Sequence, residues 1–155
     1  MQTYEGRPDV IVRGPSRDPV VVVEVKNREG LTPGVAAQLR GNMAAHGLLG
    51  RAAYFLLLSQ DVGYLWREEP DAPWDVPPTA QFPMRSVVER YASTPLDGKR
   101  LRGLELELLI VHWLSELSLG QHTRNGALEE PERSLEEAGL LDVLRGASVE
   151  PEGRG

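Results

Sequence analysis

Two short apolar runs open the chain, Val10-Ile11-Val12 and Val20-Val21-Val22-Val23-Glu24-Val25. Their length and β-branched content predict strands rather than turns of helix. The segment between them, Gly14-Pro15-Ser16-Arg17-Asp18-Pro19, is turn chemistry, so the pair predicts a β-hairpin with a six-residue loop. Valines on both faces of the second strand predict a central strand covered on both sides. Thr32 and Pro33 then supply an N-cap and a first helical residue. Val35, Leu39 and Met43 fall on one stripe of the helix that follows, and Gly47 stops it.

Residues 52–58 read as a fully buried strand, and Gly63-Tyr64-Leu65-Trp66 as another after a turn at Gln60-Asp61. Residues 67–84 carry Pro70, Pro73, Pro77, Pro78 and Pro83 among acidic residues, which predicts a linker or a wrapping arm rather than an element. Trp66 and Trp74 at this segment read as packing anchors. A short helix is expected over 86–92 and a longer one, apolar nearly all round, over 103–119. Ser134-Leu135-Glu136-Glu137 reads as a capping box opening a last helix that runs to about residue 145, with Leu140, Leu141 and Leu144 inward. The fold class is therefore α/β: a core over 1–66, a Pro-rich linker over 67–84, a helical segment over 85–146 and a disordered tail over 147–155.

Composition narrows the function classes. At 155 residues, 41% hydrophobic and 26% charged, the chain matches one ordinary globular domain and not a collagen-like or fully disordered one. The absence of cysteine removes disulfides, thiolate metal sites and a Cys nucleophile. The net charge of −6 hides an asymmetry: residues 1–51 hold seven Lys/Arg against five Asp/Glu, whereas 52–155 hold ten against eighteen. A polyanionic partner is expected to meet the first third, although an acidic remainder also serves simply as a solvated surface. With no long apolar run and no basic-then-apolar start, a cytoplasmic location is expected.

The chemistry lies at the hairpin. If Arg13 closes the loop opposite Val20, Asp9 falls opposite Glu24, and directly opposed residues of an antiparallel pair share a face. Glu24 and Lys26 share a face by the period-two alternation of a strand. Two opposed carboxylates destabilise a sheet unless a positive charge compensates. Lys26 does so in part; a divalent cation does so better, because carboxylates, a backbone carbonyl and waters form the hard-oxygen set that Mg²⁺ prefers. Beside such an ion, an ammonium holds a water or stabilises phosphoryl charge. The alternative is a surface ion pair of Glu24 with Lys26, worth under roughly 1 kcal/mol, with Asp9 a turn residue. Their position at the end of the most apolar strand favours the site.

Arg7-Pro8-Asp9 followed by Val20-Val21-Val22-Val23-Glu24-Val25-Lys26 resembles the PD-(D/E)XK superfamily, the restriction-endonuclease-like nucleases. Helix and buried strand follow the motif in the same order, and the resemblance covers about residues 5–66. It implies a restriction-endonuclease-like core with a mixed central sheet, Mg²⁺-dependent hydrolysis of DNA (Mn²⁺ as substitute), Asp9 and Glu24 as ligands, the Val25 carbonyl as a further ligand, and Lys26 as the catalytic lysine. It also implies a role for Gln38 on the following helix; Asn42 stands where a Tyr is often found. The chain departs from the pattern at its start. Only Met1–Arg7 precede Pro8, enough for a stub of strand at residues 2–5 and no N-terminal helix, so the chain is expected to be truncated or completed by another subunit.

Arg28, Arg40 and Arg51 are candidates for a phosphate track near the strand ends, or ordinary solvated arginines. His46, His112 and His122 are too scattered for a metal cluster. His46 reads as a helix C-terminal cation and His112 as a packed residue. The alternative function is a non-catalytic interaction module that self-associates or docks through the helix over 103–119.

Overall fold

The computed structural model of the protein describes residues 8–93, 96, 99–120 and 128–152. Its centre is β2 (Pro19–Val25), whose last five residues are all buried. β2 pairs antiparallel with β1 (Val10–Arg13) on one side and parallel with β3 (Tyr54–Leu58) on the other. Between β2 and β3 the chain crosses over through α1 (Pro33–Ala45), as a parallel pair requires. β4 (Val62–Arg67) and β5 (Ala80–Pro83) extend the sheet beyond β3, and β6 (Ser148–Pro151) closes the far side against β1. The six strands are ordered β5-β4-β3-β2-β1-β6, a mixed sheet.

Alternation along β2 builds two cores. Val22 faces Phe55, Leu57, Tyr64 and Trp66 and the Ala36, Ala37 and Met43 side chains of α1. Val21, Val23 and Val25 face the opposite layer, made by α2 (Arg85–Tyr91), α3 (Gly103–Ser118), α4 (Glu132–Glu137) and α5 (Leu140–Leu144). α3 supplies most of that layer through Leu106, Leu109, Ile110, Trp113, Leu114 and Leu117. Each such side chain, once buried, contributes about 1.5–3 kcal/mol, so the later helices complete the core of the sheet and do not stand apart from it as an appendage.

Several expectations are corrected. Arg13 pairs with Pro19, not Val20, because a bulge falls between Val12 and Arg13; Val10↔Val23, Ile11↔Val22 and Val12↔Val21 keep the expected frame. In the loop, Arg17 takes a positive φ of 72° and Gly14 exchanges main-chain hydrogen bonds with Arg17 and Asp18, which uses up the odd residue. α1 buries Ala36, Ala37, Arg40, Gly41 and Met43; of the expected stripe Met43 is fully buried, while Val35 and Leu39 pack against the same core only partly buried. Trp74 lies on Gly41, where a Cβ would stand 2.6 Å from the indole, and remains 49% exposed.

The Pro-rich stretch wraps as expected up to Thr79, whose amide donates to the Leu65 carbonyl, but then becomes β5. Pro83 is tolerated there because an edge strand needs fewer amide donors. The expected last helix is two short ones, broken at Gly139 with φ 86°, and Ser134 is not its cap: α4 begins three residues earlier, after Pro131. Residues 148–151, expected in a disordered tail, form β6. Its Glu150 meets Arg17 at 2.6 Å and Arg13 at 3.1 Å, and the Arg17 hydrogen bond above all holds this carboxyl down at about 2. The strand stub expected at residues 2–5 and His122 lie outside the described residues. No helix among those described is long and apolar enough to cross a membrane.

Gly63 marks the tightest packing between β4 and β5: a Cβ there would sit 2.2 Å from Phe82 Cε1 and 2.9 Å from Leu58 Cδ2. Gly63→Ala must displace the buried Phe82 ring, so urea denaturation should show a loss of about 1–3 kcal/mol. A midpoint equal to that of the unaltered protein would contradict this packing.

Candidate functional site

The polar residues of interest gather where β2 ends. The register that pairs Val10 with Val23 would set Pro8 opposite Val25, but β1 begins only at Val10, two residues too late to supply a main-chain acceptor for the Val25 amide. Asp9 supplies one from its side chain: Oδ2 accepts the Val25 N–H at 2.8 Å. Its own carbonyl accepts the Glu152 N–H at 3.0 Å, just past β6. Asp9 is thus fastened on both sides, to β2 by its carboxylate and to the C-terminal strand by its backbone.

Glu24 projects from β2 on the α1 side of the sheet, the face it shares with Val22, and its side chain is only 7% exposed. Oε2 lies 3.2 Å from Lys26 Nζ. Oε1 is buried with no hydrogen-bond partner among the described residues. Burial, and then the charge of Asp9, push the Glu24 carboxyl up to about 7, against the opposing pull of Lys26. Asp9, Glu24 and Lys26 therefore meet as the hairpin register implied. A buried carboxyl oxygen without a hydrogen-bond donor, on a group whose ionisation burial and then Asp9 disfavour, is what a hard cation would satisfy. Among the described residues there is no cluster of three or more His, Asp or Glu, so any such site draws on two carboxylates plus main chain and water.

The remaining candidates are placed differently. Gln38 is exposed on α1. Arg28 is exposed just beyond β2. Arg51 is exposed in the turn before β3. Arg40 is buried and points elsewhere: its Nε and Nη2 grip the two oxygens of Glu68 at 2.8 and 2.5 Å, with the two side chains 5% and 12% exposed. A guanidinium whose fork is filled by a buried carboxylate is not open to phosphate, so the structure removes Arg40 from the phosphate track. His46 Nδ1 lies 2.7 Å from the Asn42 carbonyl at the end of α1. His112 is 61% exposed on α3, edge-on to Tyr91 and 3.5 Å from Glu116, not packed in the core.

Sequence reading missed the polar knot beside the site. The Gln60 side chain is buried. Its amide nitrogen donates to Asn27 Oδ1 at 2.5 Å and to the Leu101 carbonyl at 2.9 Å, and its oxygen accepts the Leu101 N–H at 3.0 Å. Asn27 Nδ2 also donates to the Leu101 carbonyl, at 2.9 Å. Arg100, adjacent, bridges Glu29 and Asp61 at 3.2 Å each. The only signal in the sequence was an amide residue in each of two turns. Next to the knot a cleft of about 460 Å³ opens, bordered by Asp9, Val25, Asn27, Leu104, Glu107 and Leu108 among others. Leu104 and Leu108 are 67% and 61% exposed there.

No family model, curated protein or solved structure matches this chain.

Two outcomes follow. The raised Glu24 carboxyl means the folded protein binds more protons than the unfolded chain between about pH 4.5 and about pH 7. Stability of the metal-free protein should accordingly fall as pH rises through that window, by on the order of 3 kcal/mol. Thermal denaturation of Glu24→Gln across the same pH range should show the slope flattened. Separately, Arg40→Ala leaves the buried Glu68 charge unpaired and should cost about 3–5 kcal/mol in chemical denaturation. A cost below about 1 kcal/mol, the value for a surface pair, would contradict the burial seen here.

Proposed function

We propose that the protein is a metal-dependent nuclease of the restriction-endonuclease-like type, hydrolysing phosphodiester bonds in DNA with Mg²⁺, or Mn²⁺ in its place. The observation that carries this reading is the buried, unpartnered Glu24 oxygen beside Asp9 and Lys26 at the end of a central strand. The order hairpin, helix α1, buried parallel strand β3, with Pro8-Asp9 and Glu24-Val25-Lys26 on adjoining strands, supports it.

Asp9 and Glu24 would hold the ion, with the Val25 carbonyl as a further ligand. When bound, the ion would acidify a water and neutralise charge gathering on the phosphoryl oxygens. A bound cation would favour the ionised form of the Glu24 carboxyl, which burial and Asp9 otherwise disfavour. Asp9, braced by the Val25 amide, keeps its carboxylate aimed without relying on a flexible rotamer. Lys26 presents its ammonium next to the Glu24 carboxylate, where it holds the attacking water or offsets the negative charge of the transition state. Arg28 remains a candidate phosphate contact from its exposed position, and Gln38, exposed on α1, a candidate by the family pattern alone.

Plasmid and single-stranded DNA incubated with Mg²⁺ or Mn²⁺ should be cut by the unaltered protein and left intact with EDTA. Glu24→Gln and Lys26→Ala should each lower the rate by about a hundredfold or more. Cleavage that survives both substitutions, or no cleavage under any ion, overturns the reading. A second reading is favoured by one observation, the exposure of Leu104 and Leu108 on α3: the chain is an interaction module that associates through that helix. Absence of cleavage, together with an oligomer in sedimentation that Leu104→Glu with Leu108→Glu dissolves, would support it instead.

A further inference from the structure

The main-chain ladder that positions the site ends abruptly. The Lys26 amide donates to the Leu58 carbonyl at 2.8 Å, the last rung between β2 and the β3 side. Asn27 begins the stretch that has left the strand, and it is exposed. A residue placed immediately after the last rung has its neighbour's orientation set by whatever holds it next. Here that is the side chain of Gln60, reaching from the turn between β3 and β4.

Gln60 is 6% exposed, and a buried amide is retained only where its hydrogen bonds are met. Two of its bonds, to the Leu101 carbonyl and from the Leu101 amide, fasten the approach to α3. Those two alone would serve a purely architectural purpose. The third, to Asn27 Oδ1, goes to the residue that follows Lys26. Asn27 in turn repeats the grip on Leu101 through its own amide nitrogen. The knot therefore closes a ring of three segments: the turn after β3, the exit from β2, and the lead into α3, whose Gly103 and Leu104 border the cleft that Asp9 and Val25 also border.

We infer that Gln60 is a positioning residue, which holds the Val25–Lys26–Asn27 exit so that the Val25 carbonyl and the Lys26 ammonium stay in register with Asp9 and Glu24. This rests on the metal-site reading given above. Its hydrogen bond to Asn27 acts on ion binding through the main chain, as partners behind metal ligands do, whose loss commonly weakens metal affinity about 10–100-fold.

Isothermal calorimetry with Mn²⁺ on the full chain, well below its melting temperature, reads this directly, with kcat and KM for DNA measured alongside. Gln60→Leu and Asn27→Ala are compared with the unaltered protein; Asn27 is exposed, so its variant keeps the test open if Gln60→Leu does not fold. Both variants are expected to bind Mn²⁺ about tenfold or more weakly, with kcat reduced and KM for DNA little changed. Mn²⁺ affinity equal to that of the unaltered protein in folded Asn27→Ala, whatever its melting temperature, overturns the inference and leaves Gln60 an architectural residue. Unaltered protein that binds no Mn²⁺ at all overturns the metal-site reading and this inference with it.

Discussion

The structure depends on the burial of β2 on both faces. A strand with valines pointing both ways cannot lie at a surface, and neighbouring strands alone cover only its edges. The chain must supply a layer above and a layer below. α1, the crossover to β3, is one layer; the helices that follow β5 are the other. The sheet order follows from the same constraint: β2 is flanked by β1 and β3, and the later strands are added outward from that trio.

That burial also explains why the carboxylate at its end is unusual. Glu24 inherits the low-polarity surroundings of the valines before it, so its charge is penalised before any neighbour is considered. Asp9 adds to the penalty, and Lys26 relieves only part of it. Local conflict of this kind, set inside an otherwise consistent core, is where function is expected to reside. By contrast, the Arg40–Glu68 pair is equally buried but internally matched, donor for acceptor, and explains itself as a fastening between α1 and the segment after β4.

How much of this could be read from the sequence depended on whether the determining contact was local. The hairpin, β3, β4 and α3 were legible from short-range pattern and from turn residues. The approach of Asp9 to Glu24 was legible too, although the assumed closure of the loop was off by one residue. The bulge that absorbs the difference lies on the loop side of Val12, so it leaves the frame at Val10 untouched. Arg40 was misread because its partner lies 28 residues away and nothing near it in sequence announces a buried charge. The Gln60 knot joins segments 33 and 41 residues apart, beyond any pattern-based reading. β5 and β6 were missed because they are short edge strands containing proline, whose existence is decided by the strand they pair with.

The pairing of β6 with β1 bears on the order of events during synthesis. Arg13 and Glu150 are bonded across 137 positions of the chain, and the Glu152 amide caps the carbonyl of Asp9. On the ribosome, the hairpin and the β2–α1–β3 crossover emerge long before their outermost neighbour does. The nascent chain therefore carries a bare sheet edge, and an Asp9 braced on one side alone, until residues 148–152 have been made. Contacts this distant slow folding and leave such an edge open to pairing with other chains in the interval.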